Sequence, residues 1–296
     1  MIPCIIGIMA YNEEANIGLL LDALLTQETK AVEINHIIVV SSGSTDRTNE
    51  IVNQFAENNP KVELLIEECR KGKASAINLF MRCVKDEIVV LQSADTLPEK
   101  NTIEALVSPF DDPKIGMVGG HAIPVNKLNT FFGFGINMLW ELHHKICLYR
   151  PKMGELIAFR NIFRHIPNET AVDEASIEPL IVGQGLLLHY APNAIVRNRG
   201  PETVRDYIKQ RRRIFTGHIY IKDTLGYKVS TLNGFRILWI YLRSMNPLDW
   251  RYWIWAPGFI LLEVLCRFLG VIDYRILKRN PFSWAIVSST KDLSIS

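Results

Sequence analysis

The feature that most constrains this chain is the rhythm of its N-terminal third. Ile5-Ile6-Gly7-Ile8-Met9 reads as a buried strand, and Glu14 to Leu25 then sets Ile17, Leu20, Leu21, Leu24 and Leu25 at helical spacing. His36 to Val40, Val62 to Ile66 and Glu87 to Leu91 repeat the strand signal, with Thr45 to Phe55 and Ala74 to Cys83 as the helices between them. Strand and helix in strict alternation imply βαβ units. The predicted fold class is therefore α/β, a mostly parallel sheet with helices on both faces. Such sheets bind ligands beyond the carboxyl ends of their strands. Polar clusters fall at those ends: Tyr11-Asn12-Glu13, Ser41-Ser42-Gly43-Ser44 and Ser93-Ala94-Asp95.

Past Asp111 the pattern loosens. Ile115 to Pro124 reads as a strand, Phe131 to Leu148 as a long helix with an aromatic face, Gly185 to Tyr190 and Ala194 to Val196 as strands, and Pro201 to Ile219 as a helix. The last part changes character. Leu232 to Met245 is apolar and aromatic, with Arg236 and Arg243 placed to snorkel, which suits a helix in a membrane interface. Trp250 to Ile272 is long enough to cross a hydrocarbon core of roughly 20 residues. It opens on Trp250, Tyr252, Trp253 and Trp255 and is followed by Arg275, Lys278 and Arg279, an aromatic belt and a basic flank. Glu263 and Arg267 lie inside this run, each costing roughly 2.5–3.5 kcal/mol in lipid, and Pro257 interrupts it. Their four-residue spacing lets the two charges pair. A full span and a re-entrant or monotopic helix both fit. The predicted organisation is a catalytic domain over 1–225 and a membrane-associated helical region over 226–296.

Composition narrows the function classes. The 33 basic and 31 acidic residues give a net charge of +2, without the basic excess of a nucleic-acid binder. The five cysteines are odd in number, and no pair has metal-ligand spacing. A disulfide framework or zinc site is not expected, and a reducing compartment fits. Ile2 to Ala10 lacks the basic flank of a signal peptide and runs straight into Tyr11-Asn12-Glu13-Glu14. The catalytic part is thus expected in the cytoplasm. Neither a Gly-rich dinucleotide loop nor a Walker lysine loop is present.

Four groups could carry chemistry. Asp95 follows a strand and precedes a turn. That position suits either a turn aspartate or a ligand of Mg²⁺ or Mn²⁺, which favour oxygen donors shared with phosphates. Asp173-Glu174 precedes an apolar-periodic run, so it fits a helix start; a carboxylate there could also act as general base. In Gln210-Arg211-Arg212-Arg213, helical geometry lets at most two arginines point into one pocket. An arginine fork matches phosphate oxygens, and a solvated basic face is the alternative. Lys73, after Gly72 at a helix start, opposes the helix dipole and hints at a nearby anion.

The order of these pieces resembles glycosyltransferase family 2, whose members have the GT-A fold. The matching segments are Ala10-Tyr11-Asn12-Glu13-Glu14, Val39 to Thr48, Gly72 to Asn78, Ser93-Ala94-Asp95, Asp173-Glu174 and Gln210-Arg211-Arg212-Arg213-Ile214. Trp284 and Ser289-Thr290-Lys291 look like the ends of membrane-attached members. The resemblance implies an inverting glycosyltransferase that uses a nucleoside-diphosphate sugar, a divalent metal, and a lipid or glycan acceptor at a membrane. It implies that Tyr11 and Glu13 contact the nucleoside, with Ser41 and Ser42 where the family has two aspartates. Lys73 would approach the nucleotide. Asp95 would hold the metal as the second aspartate of Asp-x-Asp. Asp173 or Glu174 would be the base, and Gln210 and Arg213 would match Gln-x-x-Arg-Trp and hold the diphosphate. Ser93, Ser41-Ser42, Ile214 and the Asp-Glu order depart from the family pattern. They keep a second reading open, that of a catalytically inactive subunit binding a nucleotide sugar or lipid. A sugar nucleotidyltransferase would carry a Gly-rich basic loop after the first strand, where this chain is acidic.

Overall fold

A computed structural model describes residues 1–168, 172–230, 234–279 and 293. Leu232, Trp284 and Ser289-Thr290-Lys291 lie outside the described residues. The N-terminal alternation folds as its pattern requires. β1 (Ile2–Ala10), β2 (Val32–Ser42), β3 (Val62–Glu67) and β4 (Ile88–Ser93) pair in parallel in the order β3-β2-β1-β4. The helices α1 (Ile17–Leu25), α2 (Thr48–Asn58) and α3 (Lys73–Cys83) make the crossovers. Odd and even strand positions face opposite helix layers. Ile6, Ile8, Ile37 and Val39 pack with Leu20, Leu21 and Leu24 on one side, while Ile5, Ile38 and Val89 pack with Ile77 and Phe80 on the other. At Gly7 a Cβ would lie 2.5 Å from the Phe80 ring, so only glycine lets α3 seat this close.

The other half of the sheet departs from the parallel expectation. β5 (Thr96–Pro98), β6 (Ile115–Pro124), β7 (Leu156–Arg160) and β8 (Leu187–Asn198) extend it in the order β4-β7-β6-β8-β5. β4–β7, β7–β6 and β8–β5 are antiparallel, and only β6–β8 is parallel. The sheet is mixed. β5 and β7 were not legible from periodicity, because strands of three and five residues are too short to show a repeat. The two expected strands around residue 190 are one strand, its break being a register shift against Gly119–His121.

α4 (Thr102–Val107) and α5 (Phe131–Tyr149) cover the sheet, and α6 (Asp173–Val182) begins at the acid pair. α7 (Val204–Leu225) is capped by the Thr203 hydroxyl and stops at Gly226, whose φ of 66° is left-handed. α8 (Gly234–Ser244) and α9 (Arg251–Val271) follow. They pack against α5 and α7. Phe134 and Ile136 of α5, Tyr207 of α7, Ile240 and Tyr241 of α8, and Ala256, Phe259 and Cys266 of α9 form one core.

α9 has two unlike faces. Ala256, Phe259, Glu263, Cys266 and Gly270, at helical spacing, are buried against the protein, while Trp253, Ile254, Leu261, Val264, Leu265 and Phe268 are exposed. The two charges inside the apolar run face inward. Glu263 pairs with Arg267 at 3.0 Å, as their spacing predicts, and also with Arg211 at 2.6 Å and the Tyr207 hydroxyl at 2.9 Å. Among the described residues the helix from Arg251 to Ile276 is long and apolar enough to cross a membrane.

Candidate active site

The carboxyl ends of β1, β2 and β4 open on a cavity of about 530 Å³, and α5, α7, α8 and α9 close its far side. The Tyr11-Asn12-Glu13 turn forms one wall. Asn12 takes a φ of 52°, a conformation asparagine tolerates, and its side-chain oxygen accepts from the Thr45 amide at 2.8 Å. The Glu13 amide donates to Thr48 Oγ1 at 2.8 Å. These bonds tie the loops after β1 and β2 together. Tyr11 is left in the cavity with the Arg70 guanidinium stacked 3.9 Å from its ring centre.

The Ser41-Ser42 pair divides. Ser42 lines the cavity and donates to Glu67, which also accepts from Ser75 Oγ at 2.6 Å. Ser41 is fully buried behind it, bonded to Ser44 Oγ at 2.8 Å, and is not part of the cavity wall. Of the family's acidic pair, then, only the second position meets this space.

Ionisable groups concentrate on the opposite side. Gly72, with a φ of 99°, starts α3 and presents Lys73 to the cavity. Lys73 pairs with Glu174 and lies 3.4 Å from Ser93 Oγ. Burial opposes its charge, but Glu174 and Asp173 hold the ammonium above its usual range. Gln210 and Arg213, three residues apart on one face of α7, both line the cavity. Burial brings the Arg213 guanidinium down to about 10 against the pull of Asp173, Glu155, Glu174 and Asp95. Arg211 also lines the cavity but is engaged by Glu263, and Arg212 turns away to Asp273. Two of the three arginines thus share the pocket, as helical geometry allows.

The acid pair at the start of α6 has divided environments. Glu174 faces the cavity and is taken by Lys73. Asp173 is fully buried beside it and is not part of the cavity wall, and both its carboxylate oxygens lack a hydrogen-bond partner among the described residues. Burial, and secondarily the Glu174 charge, push its carboxyl up to about 7 although Lys73 and Arg213 pull the other way. A carboxyl tuned to neutrality can accept a proton near physiological pH; one paired with lysine is a weaker base.

Asp95 is joined by an acid that sequence reasoning missed. Glu155 lines the same cavity beside Ser93, Asp95 and Lys73. Burial, then the Asp95 and Glu174 charges, push its carboxyl up to about 7. It sits just before a strand too short to read, and only strand pairing brings it here. Asp95, Glu155 and Glu174 face Lys73 and Arg213 across this end of the cavity. Among the described residues no three His, Cys, Asp or Glu side chains surround one point as metal ligands. A divalent cation here would rest on one or two carboxylates, and the all-oxygen donors of Asp95 and Glu155 fit Mg²⁺ or Mn²⁺ completed by phosphates.

The sequence model of the family described as Glycosyl transferase family 2 matches residues 5–172 of the chain, more than half of it. The chain belongs to glycosyltransferase family 2. This glycosyltransferase is 27% identical over 235 residues to "Probable glycosyltransferase YdaM" of Bacillus subtilis, covering 72% of this chain and 54% of that protein. It is 26% identical over 258 residues to the poly-beta-1,6-N-acetyl-D-glucosamine synthase of Staphylococcus aureus, covering 78% of this chain and 61% of the synthase. The chain therefore spans only a little over half the length of these relatives. Among solved structures, it resembles the mannosyltransferase PcManGT from Pyrobaculum calidifontis in complex with GDP-Man and Mn²⁺. The TM-score is 0.63 at 20% identity, covering 90% of this chain and 86% of the other. It also resembles glucosyl-3-phosphoglycerate synthase from Mycobacterium tuberculosis, solved with Mn²⁺, UDP and glucosyl-3-phosphoglycerate. There the TM-score is 0.51 at 15% identity, covering 73% and 78% of the two chains. At these identities the likeness establishes the GT-A fold.

Proposed function

We propose that this family 2 enzyme transfers a sugar, with inversion, from a nucleoside-diphosphate donor to a lipid-linked or other membrane-proximal acceptor. The observation that carries the proposal is a single cavity lined by Tyr11, Glu13, Ser42, Lys73, Asp95, Glu174, Gln210 and Arg213. Tyr11, Glu13 and Ser42, backed by Ser41, receive the nucleoside. Asp95 is the residue that would hold a Mg²⁺ or Mn²⁺, which when bound neutralises charge on the donor diphosphate. Arg213, with Gln210 beside it, offers its planar fork to the departing diphosphate, and its partial burial strengthens that attraction. Lys73, oriented by Glu174, supplies a second positive charge on the nucleotide side. Asp173 takes the proton from the acceptor hydroxyl as that oxygen attacks the anomeric carbon from the face opposite the leaving group. Its carboxyl is pushed up to about 7, which favours Asp173 as the base, although Glu174 is the one of the two that lines the cavity and the acceptor must reach past it.

The far wall of the cavity supports a lipid acceptor. Ile136, Leu139, Ile237, Leu238, Phe259 and Ile260 line it, and Leu238 belongs also to the exposed apolar face of α8 and α9. With its charged residues turned inward and its outer face apolar, α9 would lie in the membrane interface on the cytoplasmic side, with the cavity at headgroup level.

The test is to incubate membranes containing the protein with radiolabelled UDP- and GDP-sugars and Mn²⁺, then identify the glycosylated lipid by mass spectrometry. Arg213→Ala is expected to lower turnover by about 10²-fold or more, the usual cost of losing a group that stabilises developing charge. Equal turnover by Asp95→Ala and the wild type would remove the metal role. A product confined to the aqueous phase would remove the lipid acceptor. Binding of a nucleotide sugar with no transfer under any condition would favour an inactive subunit.

A further inference from the structure

We infer that Glu155 supplies the second carboxylate of the divalent-cation site, replacing the acid that Ser93 has lost, and that it does so from the neighbouring strand. The inference rests on the reading of Asp95 as a cation ligand.

Strand register makes the case. β4 and β7 pair antiparallel from Ile88↔Arg160 to Gln92↔Leu156, so the next opposed pair is Ser93 and Glu155. The ladder continues there, with the Ser93 amide donating to the Glu155 carbonyl at 3.3 Å. Residues opposed across antiparallel strands put their side chains on the same face, with Cβ atoms roughly 4.5–5.5 Å apart. Ser93 and Glu155 accordingly line the cavity together with Asp95. Glutamate carries its carboxylate one methylene further than aspartate does, so an acid rooted opposite Ser93 enters the same end of the cavity as Asp95.

The chemistry agrees. Mg²⁺-type ions are usually held by one or two carboxylates plus substrate phosphates, so a second acid beside Asp95 completes a common set. Lys73, the nearby cation, makes its ion pair with Glu174. Glu155 stands on the donor side of the cavity beside Asp95, a place suited to a ligand and not to a base for the acceptor.

Mn²⁺ affinity, measured by electron paramagnetic resonance of free Mn²⁺ with and without UDP or GDP, tests this on the intact 296-residue chain. Wild type, Asp95→Asn, Glu155→Gln and the double variant Ser93→Asp with Glu155→Gln are compared, with thermal melts to establish that each folds. Glu155→Gln is expected to weaken Mn²⁺ binding by at least 10-fold, and restoring an acid at position 93 is expected to recover most of that loss. If Asp95→Asn binds Mn²⁺ as wild type does, the underlying metal reading fails. If Asp95→Asn loses binding while folded Glu155→Gln keeps it, Asp95 stands and the role of Glu155 is refuted. Weakened binding in Glu155→Gln that an acid at position 93 leaves unrecovered refutes the replacement of one carboxylate by the other.

Discussion

Replacing Asp173 with asparagine separates two consequences of burying that carboxyl. The side chain is fully buried, and neither oxygen has a hydrogen-bond partner among the described residues. Its ordinary value of 3.8 rises to about 7, chiefly through burial. At about 1.36 kcal/mol per pH unit, that rise corresponds to about 4 kcal/mol. The sign follows from proton counting. Between the two values the folded state keeps a proton that the unfolded state has released, so the contribution of this carboxyl to stability is greatest below about pH 4 and falls as pH climbs toward 7. Asparagine matches the protonated acid in shape and cannot ionise. The variant should match the wild type near pH 4 and exceed it by up to about 4 kcal/mol at pH 8, or several degrees in melting temperature. Urea or thermal unfolding followed by tryptophan fluorescence, at both pH values, reads the difference. Transfer activity should be lost even as stability rises, since the amide cannot take a proton. A pH-independent stability offset, or a variant less stable than wild type at pH 8, would refute the burial account. Full activity in the variant would refute its role as base.

Three further outcomes are expected. Glu174→Gln removes a negative charge beside Asp173 and releases Lys73, and both changes lower the Asp173 value. The acidic limb of the pH–activity profile should therefore move below pH 7, and an unmoved limb would assign that limb to another group. Glu263→Gln breaks the pairing with Arg211 and Arg267 that fastens α9 to α7. Leaving buried charge unpaired costs about 3–5 kcal/mol, which a melt in detergent should register as a marked loss. Leu261→Glu with Phe268→Glu places charge on the exposed face of α9. Flotation with anionic vesicles should show release of this double variant, and binding equal to wild type would refute the interfacial arrangement of α9.

Most of the parallel half of the fold was written in local pattern. Ile17, Leu20, Leu21 and Leu24 bury one face of α1 because they recur at its period. The strand from Ile115 to Pro124 has the bounds its apolar run predicts. The site motifs were legible for a related reason: polar residues at the carboxyl ends of strands must surround whatever lies beyond them. Short strands were not legible, since β7 has five residues and no repeat to detect. With β7 unread, Glu155 could not be placed, because its neighbour Ser93 is 62 positions away in the chain and adjacent only through the antiparallel ladder. Nor could sequence choose within Asp173-Glu174. Both are acids at a helix start. Lys73, reached across the cavity from α3, binds one and leaves the other in the dry interior. Local sequence determined the elements and the chemical groups they carry. Desolvation and charge pairing, which depend on distances between segments remote in sequence, decided what each group can do.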